Sequence, residues 1–188
     1  MITITQTRRL ILTLGISTIM IFSTGMVVER ANVAPEGAVK WITFEEALQK
    51  SKTAKKPIFI DVYTDWCGWC KVMDKSTFSD PAVAKILNDN FYAVKFNGEQ
   101  KEDVQFDGKT FKYVGEGGRG YHELAAALLN NQLSYPTVVF LDEEFRMIQP
   151  LAGYRKAPEF HPIVQYIGEG HYKNMKWEEW QRQYKTPY

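Results

Sequence analysis

The 188-residue sequence predicts an α/β domain, in which strands and helices alternate along the chain. Three observations indicate this fold class. A β-favouring apolar run at Ile58–Tyr63 leads into a helical pattern at residues 67–75, and a second such run follows at residues 91–96. This order of strand, helix and strand is typical of a parallel crossover. A further apolar run at Thr137–Leu141 has the uninterrupted character of a central strand.

The composition is that of an ordinary soluble globular domain. The hydrophobic share is 45%, the charged share is 24% and the net charge is +1. A nearly neutral chain without a basic patch interleaved with aromatic residues gives no reason to expect nucleic acid as a partner. The length allows one well-cored domain with additions and excludes two large domains.

The N-terminal segment predicts export. Arg8 and Arg9 precede an uncharged apolar run at residues 10–22, and small residues follow it. Because the apolar character then resumes, residues 1–28 are interpreted either as a cleaved signal peptide or as a retained membrane anchor. The basic end stays on the cytoplasmic side, so we expect the remainder in the periplasm or another extracytoplasmic space in both cases. Residues 29–40 are interpreted as a polar linker.

Capping signals place the helices of the first half of the domain. Thr43, with glutamate three residues later, is typical of a capping box and predicts a helix that ends near Lys52. After the cysteine-bearing helix, Asp80 and Pro81 have the pattern of an N-cap followed by the first helical residue. They predict a second helix before the strand at residues 91–96.

The second half is interrupted by glycines. Their spacing in residues 97–120 does not fit a phosphate-binding loop, so residues 97–134 are interpreted partly as a surface insertion, with a short strand at residues 110–114. The further predicted elements are a helix at residues 121–130, a strand at residues 144–151, a covering helix at residues 157–167 and a helical tail at residues 171–188. The domain itself is predicted to span residues 41–170.

The two cysteines of the chain lie three residues apart. Cys67 and Cys70 follow the strand Ile58–Tyr63 and begin a helix. Unpaired N–H groups and the helix dipole at a helix N-terminus stabilise a thiolate. Residues one turn apart have the separation, roughly 5–6 Å between Cα atoms, that a disulfide needs. A loop this short gives little stabilisation, so the pattern predicts a redox-active dithiol rather than a structural disulfide.

The cysteine motif resembles that of the thioredoxin family. The stretch WCGWCK, which ends at Lys71, is similar to the family's WCGPCK, with Trp69 in place of proline. The resemblance covers roughly residues 43–167. It implies a thioredoxin fold, in which helices flank a central mixed β-sheet, with an insertion before the cis-proline strand and a C-terminal helical extension.

Other positions match the family in the same order. Asp61 lies where the family has a buried carboxylate, and Lys95 lies where it has a lysine paired with that carboxylate. Tyr135 and Pro136 match the family's cis-proline position, and Gly153 matches the glycine after the last strand. Burial of a carboxylate within the apolar run Ile58–Tyr63 costs free energy of folding. Such a residue is expected to have a role, and this favours a functional Asp61 independently of the resemblance.

The resemblance implies a role for each site residue. An exposed Cys67 of lowered pKa attacks the substrate disulfide, and a more buried Cys70 resolves the mixed disulfide. Asp61 accepts the Cys70 proton, and Lys95 partly offsets the burial of the Asp61 charge. The substrate-binding residues are expected to be Trp66, Gly68, Trp69, Tyr135 and Pro136. No cofactor other than the Cys67–Cys70 disulfide and no metal ion is expected.

Several alternatives stay open. Trp69 leaves the direction of catalysis undecided between reductant, oxidant and isomerase, although the lack of a histidine between the cysteines favours a reductant. Such a protein would exchange electrons with protein thiols and disulfides, and a membrane electron donor would recharge it. The first alternative function is copper binding by Cys67 and Cys70, because copper(I) tolerates two thiolate ligands. Zinc would require four ligands, and His122, His161 and His171 have no recognisable zinc-ligand spacing. The second is a partner-binding module.

Overall fold

The computed structural model describes residues 38–117 and 119–188. Within them, helices and strands alternate as the sequence predicts. The elements are α1 (Phe44–Ser51), β1 (Ile58–Tyr63), α2 (Gly68–Ser76), α3 (Pro81–Asn90), β2 (Tyr92–Asn97), β3 (Val104–Phe106), β4 (Lys109–Phe111), β5 (Tyr113–Glu116), β6 (Arg119–His122), α4 (Glu123–Leu128), β7 (Thr137–Leu141), β8 (Met147–Ala152), α5 (Ala157–Gly168) and α6 (Trp177–Gln183). A 3-10 turn at His171–Lys173 precedes α6.

A four-stranded mixed sheet forms the centre of the domain, in the order β2–β1–β7–β8. Strand β2 runs parallel to β1, as expected for strands connected through α2 and α3. Strand β7 is antiparallel to both β1 and β8. The parallel register aligns Asp61 with Lys95. This architecture confirms the predicted thioredoxin fold with its flanking helices.

The alternation of side chains along β1 divides the core into two layers. Ile58, Ile60 and Val62 belong to the cluster that α1 and α4 cover. Phe59 faces the opposite layer, where it packs against an aromatic group at ring-centroid distances of 5.4–6.2 Å. The members of this group are Phe78, Phe91, Phe140 and Phe160. Because Asp61 follows Phe59 by two residues, its side chain is directed towards the same layer, which also contains Met73 of α2.

Helices α1 and α3 begin where the sequence predicts. The side chain of Thr43 caps α1 by accepting a hydrogen bond from the N–H of Glu46. Asp80 caps α3 by accepting bonds from the N–H groups of Ala82 and Val83, each 3.0 Å long.

The segment between β2 and β7 differs from the predicted pattern. Instead of one short strand at residues 110–114, it forms two hairpins, β3–β4 and β5–β6. The predicted helix at residues 121–130 is wrong at its start, because Tyr121 and His122 still pair with β5. Helix α4 begins only after His122, whose Nδ1 accepts a hydrogen bond from the N–H of Leu124.

Two later boundaries also differ from the prediction. The strand predicted at residues 144–151 begins at Met147, because the Asp142 carboxylate accepts hydrogen bonds from the N–H groups of Glu144 and Arg146 and holds this segment in a turn. The helical tail is divided into the 3-10 turn and the short α6. Met175 lies between these two elements. Its carbonyl oxygen accepts a hydrogen bond from the Tyr166 hydroxyl instead of from a backbone N–H group of a continuous helix.

The predicted export segment, residues 1–28, and most of the predicted linker lie outside the described residues. At the end of the linker, Val39 is buried, and the backbone N–H of Lys40 donates to Asn88. In the described ranges, 38–117 and 119–188, no helix has the length and apolar character required to cross a membrane.

Candidate active site

Cys67 and Cys70 form a disulfide at the N-terminus of α2, with their Cα atoms 5.3 Å apart. Cys67 is the N-cap residue, and its Sγ accepts a hydrogen bond from the backbone N–H of Cys70 at 3.1 Å. In the reduced protein the same N–H group and the helix dipole favour the anionic form of the Cys67 sulfur. The helix therefore places one sulfur where a thiolate is stabilised.

The resemblance predicted that Cys67 is exposed, and this prediction is wrong for the disulfide form. Cys67 is 4% exposed and Cys70 is 2% exposed. The bond to Cys70 turns the Cys67 side chain back over the first turn of α2, whereas the two flanking tryptophans project outward. Trp66 is 66% exposed and Trp69 is 61% exposed. The indole rings of Trp66 and Trp69 are therefore far more exposed than the two sulfur-bearing residues that they flank.

Asp61 and Lys95 form the predicted ion pair in the interior. Asp61 is 1% exposed, and its Oδ2 accepts a hydrogen bond from Lys95 Nζ at 2.6 Å. Burial raises the pKa of Asp61 to about 6, while the nearby Lys95 ammonium lowers it and so limits the increase. The other carboxylate oxygen, Oδ1, is buried and has no hydrogen-bond partner. Asp61 is thus a buried carboxyl group whose protonation changes near neutral pH.

Lys95 has a second carboxylate partner, Asp74 of α2. Its Nζ donates to Asp74 Oδ1 as well as to Asp61 Oδ2, and it lies 4.9 Å from the centroid of the Trp41 ring. Burial opposes the charge of Lys95, but its interactions with Asp61 and Asp74 outweigh burial and raise its pKa. Because Asp74 follows Cys70 by one helical turn, this contact connects the buried ion pair with the cysteine-bearing helix.

The two exposed tryptophans are each held by specific neighbours. The Nε1–H of Trp66 donates to Glu99 Oε1 at 3.0 Å, and its ring packs edge-on against Tyr135 at 5.8 Å. The ring of Trp69 packs against Tyr154 at a centroid distance of 5.3 Å and an angle of 33°. Both indoles are therefore held in place by contacts within the protein.

A cleft of about 270 Å³ opens beside the disulfide, and we call it the aromatic cleft. It is lined by Trp69, Tyr135, Pro136, Gly153 and Tyr154. The peptide bond between Tyr135 and Pro136 is cis, as the resemblance implied. The structure therefore brings Pro136 and Tyr135 next to Trp69, although they are far apart in the sequence.

Sequence reasoning missed three residues near the cysteines. Asp74 could have been found from its i, i+4 spacing to Cys70 on one helix face. Glu99 and Tyr154 have no comparable signal, because only the tertiary fold brings them to Trp66 and Trp69.

The histidines of the alternative metal-binding function do not join the cysteines in a cluster. Among residues 38–117 and 119–188, no group of three or more histidine, cysteine, aspartate and glutamate side chains could hold a metal ion. His122 is buried, and its Nε2 lies 3.1 Å from the carbonyl oxygen of Glu102. His161 Nδ1 lies 2.8 Å from the hydroxyl of Tyr184. Both have structural partners.

Curated proteins resemble parts of this chain. An uncharacterized protein of Caenorhabditis elegans is 44% identical over 77 residues, which are 41% of this chain and 11% of that protein. The thiol:disulfide interchange protein DsbD of Escherichia coli (strain K12) is 50% identical over 48 residues, which are 25% of this chain and 8% of that protein. The chain therefore spans a small part of the length of these curated relatives.

A solved structure and a family model extend the likeness to most of the domain. A structure described as DsbH oxidoreductase superposes with a TM-score of 0.51 at 20% identity, and the match covers 75% of this chain and 93% of that chain. This likeness shows the fold. A cysteine pair at the start of α2 in this fold supports thiol–disulfide oxidoreductase activity. The model of the Thioredox_DsbH family, described as "Protein of unknown function, DUF255", matches residues 31–152, and the chain therefore belongs to this family.

Proposed function

We propose that this protein is an exported thiol–disulfide oxidoreductase that exchanges the Cys67–Cys70 pair with protein substrates, and that it works mainly as a reductant. One observation carries the proposal: a disulfide-bonded cysteine pair begins α2, and Lys95 connects this helix, through Asp74, to the buried Asp61, whose pKa is raised to about 6. The likeness to a thiol:disulfide interchange protein supports protein thiols and disulfides as the reaction partners.

The reductive reaction takes two exchange steps. The Cys67 thiolate attacks one sulfur of the substrate disulfide, forms a mixed disulfide and releases the other substrate sulfur as a thiolate. The Cys70 thiolate then attacks the Cys67 sulfur, which forms the Cys67–Cys70 disulfide and releases the second substrate thiolate. The substrate gains two electrons and the protein loses two.

The second step requires the removal of a proton from Cys70. Cys70 is buried, so water has little access to its thiol. Asp61 is suited to accept this proton, because a base with a pKa near the working pH is effective in proton transfer. Lys95 contacts both Asp61 and Asp74, and so connects the buried carboxyl group to the helix that carries Cys70. Lys95 acts as the charge partner that stabilises ionised Asp61.

The residues between the cysteines support a reductant. Neither Gly68 nor Trp69 can carry the positive charge with which a histidine there would stabilise a Cys67 thiolate. A less stabilised thiolate disfavours a strongly oxidising protein. Export, as residues 1–28 predict, separates the protein from the soluble reducing pool of the cell. A membrane electron-donor protein would then return the disulfide to the dithiol.

The test is turnover of a peptide disulfide with dithiothreitol as the electron donor. We expect the protein to reduce many equivalents of a peptide that contains one disulfide, and the Cys67→Ser variant to give the rate of dithiothreitol alone. The rate is measured by chromatographic separation of the oxidised and reduced peptides. Equal rates for the unmodified protein and Cys67→Ser would refute the enzymatic function.

A further inference from the structure

The side-chain hydroxyl of Thr64 is buried and has no hydrogen-bond partner in the disulfide form. Thr64 is 1% exposed and lies between the end of β1 and the cysteine motif. Within the described part of the chain, two buried side-chain polar atoms lack a partner, and these are Thr64 Oγ1 and Asp61 Oδ1. Burial of a polar group without a partner costs free energy of folding, so the hydroxyl destabilises the disulfide form.

The other buried threonines of the domain do not share this property. Thr77 Oγ1 donates to the carbonyl oxygen of Arg155, and Thr137 Oγ1 donates to the carbonyl oxygen of Ser134. Bonds of this kind to the backbone are the usual way in which a buried threonine is satisfied. Packing alone does not explain Thr64, because valine has the same branched shape and no hydroxyl to bury.

A backbone hydrogen bond holds Thr64 next to the reactive cysteine. The carbonyl oxygen of Thr64 accepts a bond from the backbone N–H of Cys67 at 3.1 Å. This bond closes a four-residue turn, and the Cα atoms at the two ends of such a turn lie within about 7 Å of each other. The turn therefore places the buried hydroxyl beside the N-cap residue of α2, which carries the attacking sulfur.

Reduction of the disulfide creates the acceptor that the hydroxyl lacks. The uncharged sulfurs of a disulfide are weak acceptors. Two electrons from the electron donor and one proton convert the Cys67–Cys70 disulfide into one thiolate and one thiol. A thiolate is an anionic acceptor, and hydrogen bonds to charged groups are about twice as strong as those between neutral groups. Cleavage of the S–S bond also frees the Cys67 side chain to turn towards Thr64.

We propose that Thr64 is a further active-site residue, whose hydroxyl donates a hydrogen bond to the Cys67 thiolate in the reduced protein. This inference rests on the proposed function and adds to it a residue that sets the redox balance of the cysteine pair. The bond exists only in the dithiol form, so it stabilises that form relative to the disulfide. It keeps Cys67 in the anionic state that attacks a substrate and makes the protein a milder reductant.

The redox equilibrium with glutathione measures this effect. Thr64→Val keeps the branched shape and removes the hydroxyl, whereas Thr64→Ser keeps the hydroxyl. We expect Thr64→Val to favour the disulfide by about tenfold in the equilibrium constant, which corresponds to a reduction potential lower by roughly 30 mV. Thr64→Ser should stay close to the unmodified protein. Acid quenching, alkylation and mass spectrometry give the ratio of the two forms, and Thr64→Ala against Thr64→Ser repeats the comparison without the branched methyl group.

Urea unfolding of the two redox forms gives an independent readout. Thr64→Val should raise the stability of the disulfide form, because it removes a buried hydroxyl without a partner, and lower that of the dithiol form, because it removes the bond to the thiolate. The midpoint of Cys67 alkylation by iodoacetamide should move to higher pH in the same variant. A hydroxyl with a merely structural role would change the stability of both forms equally.

The outcomes separate this inference from the proposed function. An unchanged glutathione equilibrium in Thr64→Val, or equal changes in the stability of the two forms, would overturn the role of Thr64 and leave the oxidoreductase function intact. If the unmodified protein fails to reduce peptide disulfides while Thr64→Val still shifts the glutathione equilibrium about tenfold, the proposed function is wrong and the hydrogen bond to the thiolate is supported.

Discussion

At the scale of single residues, Lys95 couples the protonation of Asp61 to Asp74, because its ammonium group pairs with both carboxylates. When Asp61 is protonated, Lys95 retains a carboxylate partner in Asp74, so its partly buried charge stays paired. When Asp61 is ionised, the two carboxylates compete for one ammonium group. Asp74 thereby weakens the stabilisation of ionised Asp61, both by its own charge and by its bond to Lys95.

Replacement of Asp74 tests this competition. We expect Asp74→Asn to lower the pKa of Asp61, because it removes a negative charge and directs Lys95 fully to Asp61. Asp74→Glu should leave this pKa close to that of the unmodified protein. The measurement is a carboxyl NMR titration of Asp61 in the disulfide form. Asp89→Asn is the matched control, since Asp89 pairs with Lys85 on the exposed face of α3. An Asp61 titration at the same pH in Asp74→Asn would contradict the expected coupling.

At the scale of elements, prediction from the sequence succeeded where local signals are strong. The run Ile58–Tyr63 became β1, and the caps at Thr43 and Asp80 start α1 and α3. The same is true of the site, because the cysteine spacing and the helix start together place Cys67 at the N-cap. These features depend on neighbours within about one turn of the chain.

Prediction failed where tertiary contacts decide the structure. The helix predicted from Tyr121 was based on Leu124, Ala127 and Leu128, which share one helix face, but pairing with β5 keeps Tyr121 and His122 in a strand. Likewise, the exposure of Cys67 depends on how the disulfide folds over α2. The roles of Glu99 and Tyr154 depend on contacts across distant parts of the chain. Local periodicity contains no information about such contacts.

At the scale of the whole molecule, burial of Asp61 links the site to stability. The pKa of Asp61 is about 6 in the folded protein against a value of 3.8 for the free side chain. Between these values the folded state binds the proton more tightly than the unfolded state. The contribution of Asp61 to stability is therefore present below about pH 4 and is lost as the pH rises through about 6.

The stability cost can be measured with Asp61→Asn, which mimics the protonated group and leaves Lys95 paired with Asp74. We expect the free energy of unfolding of this variant, relative to the unmodified protein, to rise by about 2 kcal/mol between pH 4 and pH 7. Urea unfolding of the disulfide form at both values gives the difference, and Asp89→Asn serves as the control. A difference that is constant with pH would show that Asp61 ionises in the folded state as freely as in the unfolded chain.

The most direct test of the central claim, that Cys67 attacks and Cys70 resolves, is mass spectrometry of mixed disulfides. The reduced Cys70→Ser and Cys67→Ser variants are each mixed with a peptide that contains one disulfide, and the adducts are mapped by digestion. We predict that Cys70→Ser accumulates a stable adduct on Cys67, because no second thiol releases the peptide, and that Cys67→Ser forms little adduct. An equal yield of adduct in the two variants, or none in Cys70→Ser, would contradict the assignment of Cys67 as the attacking thiol.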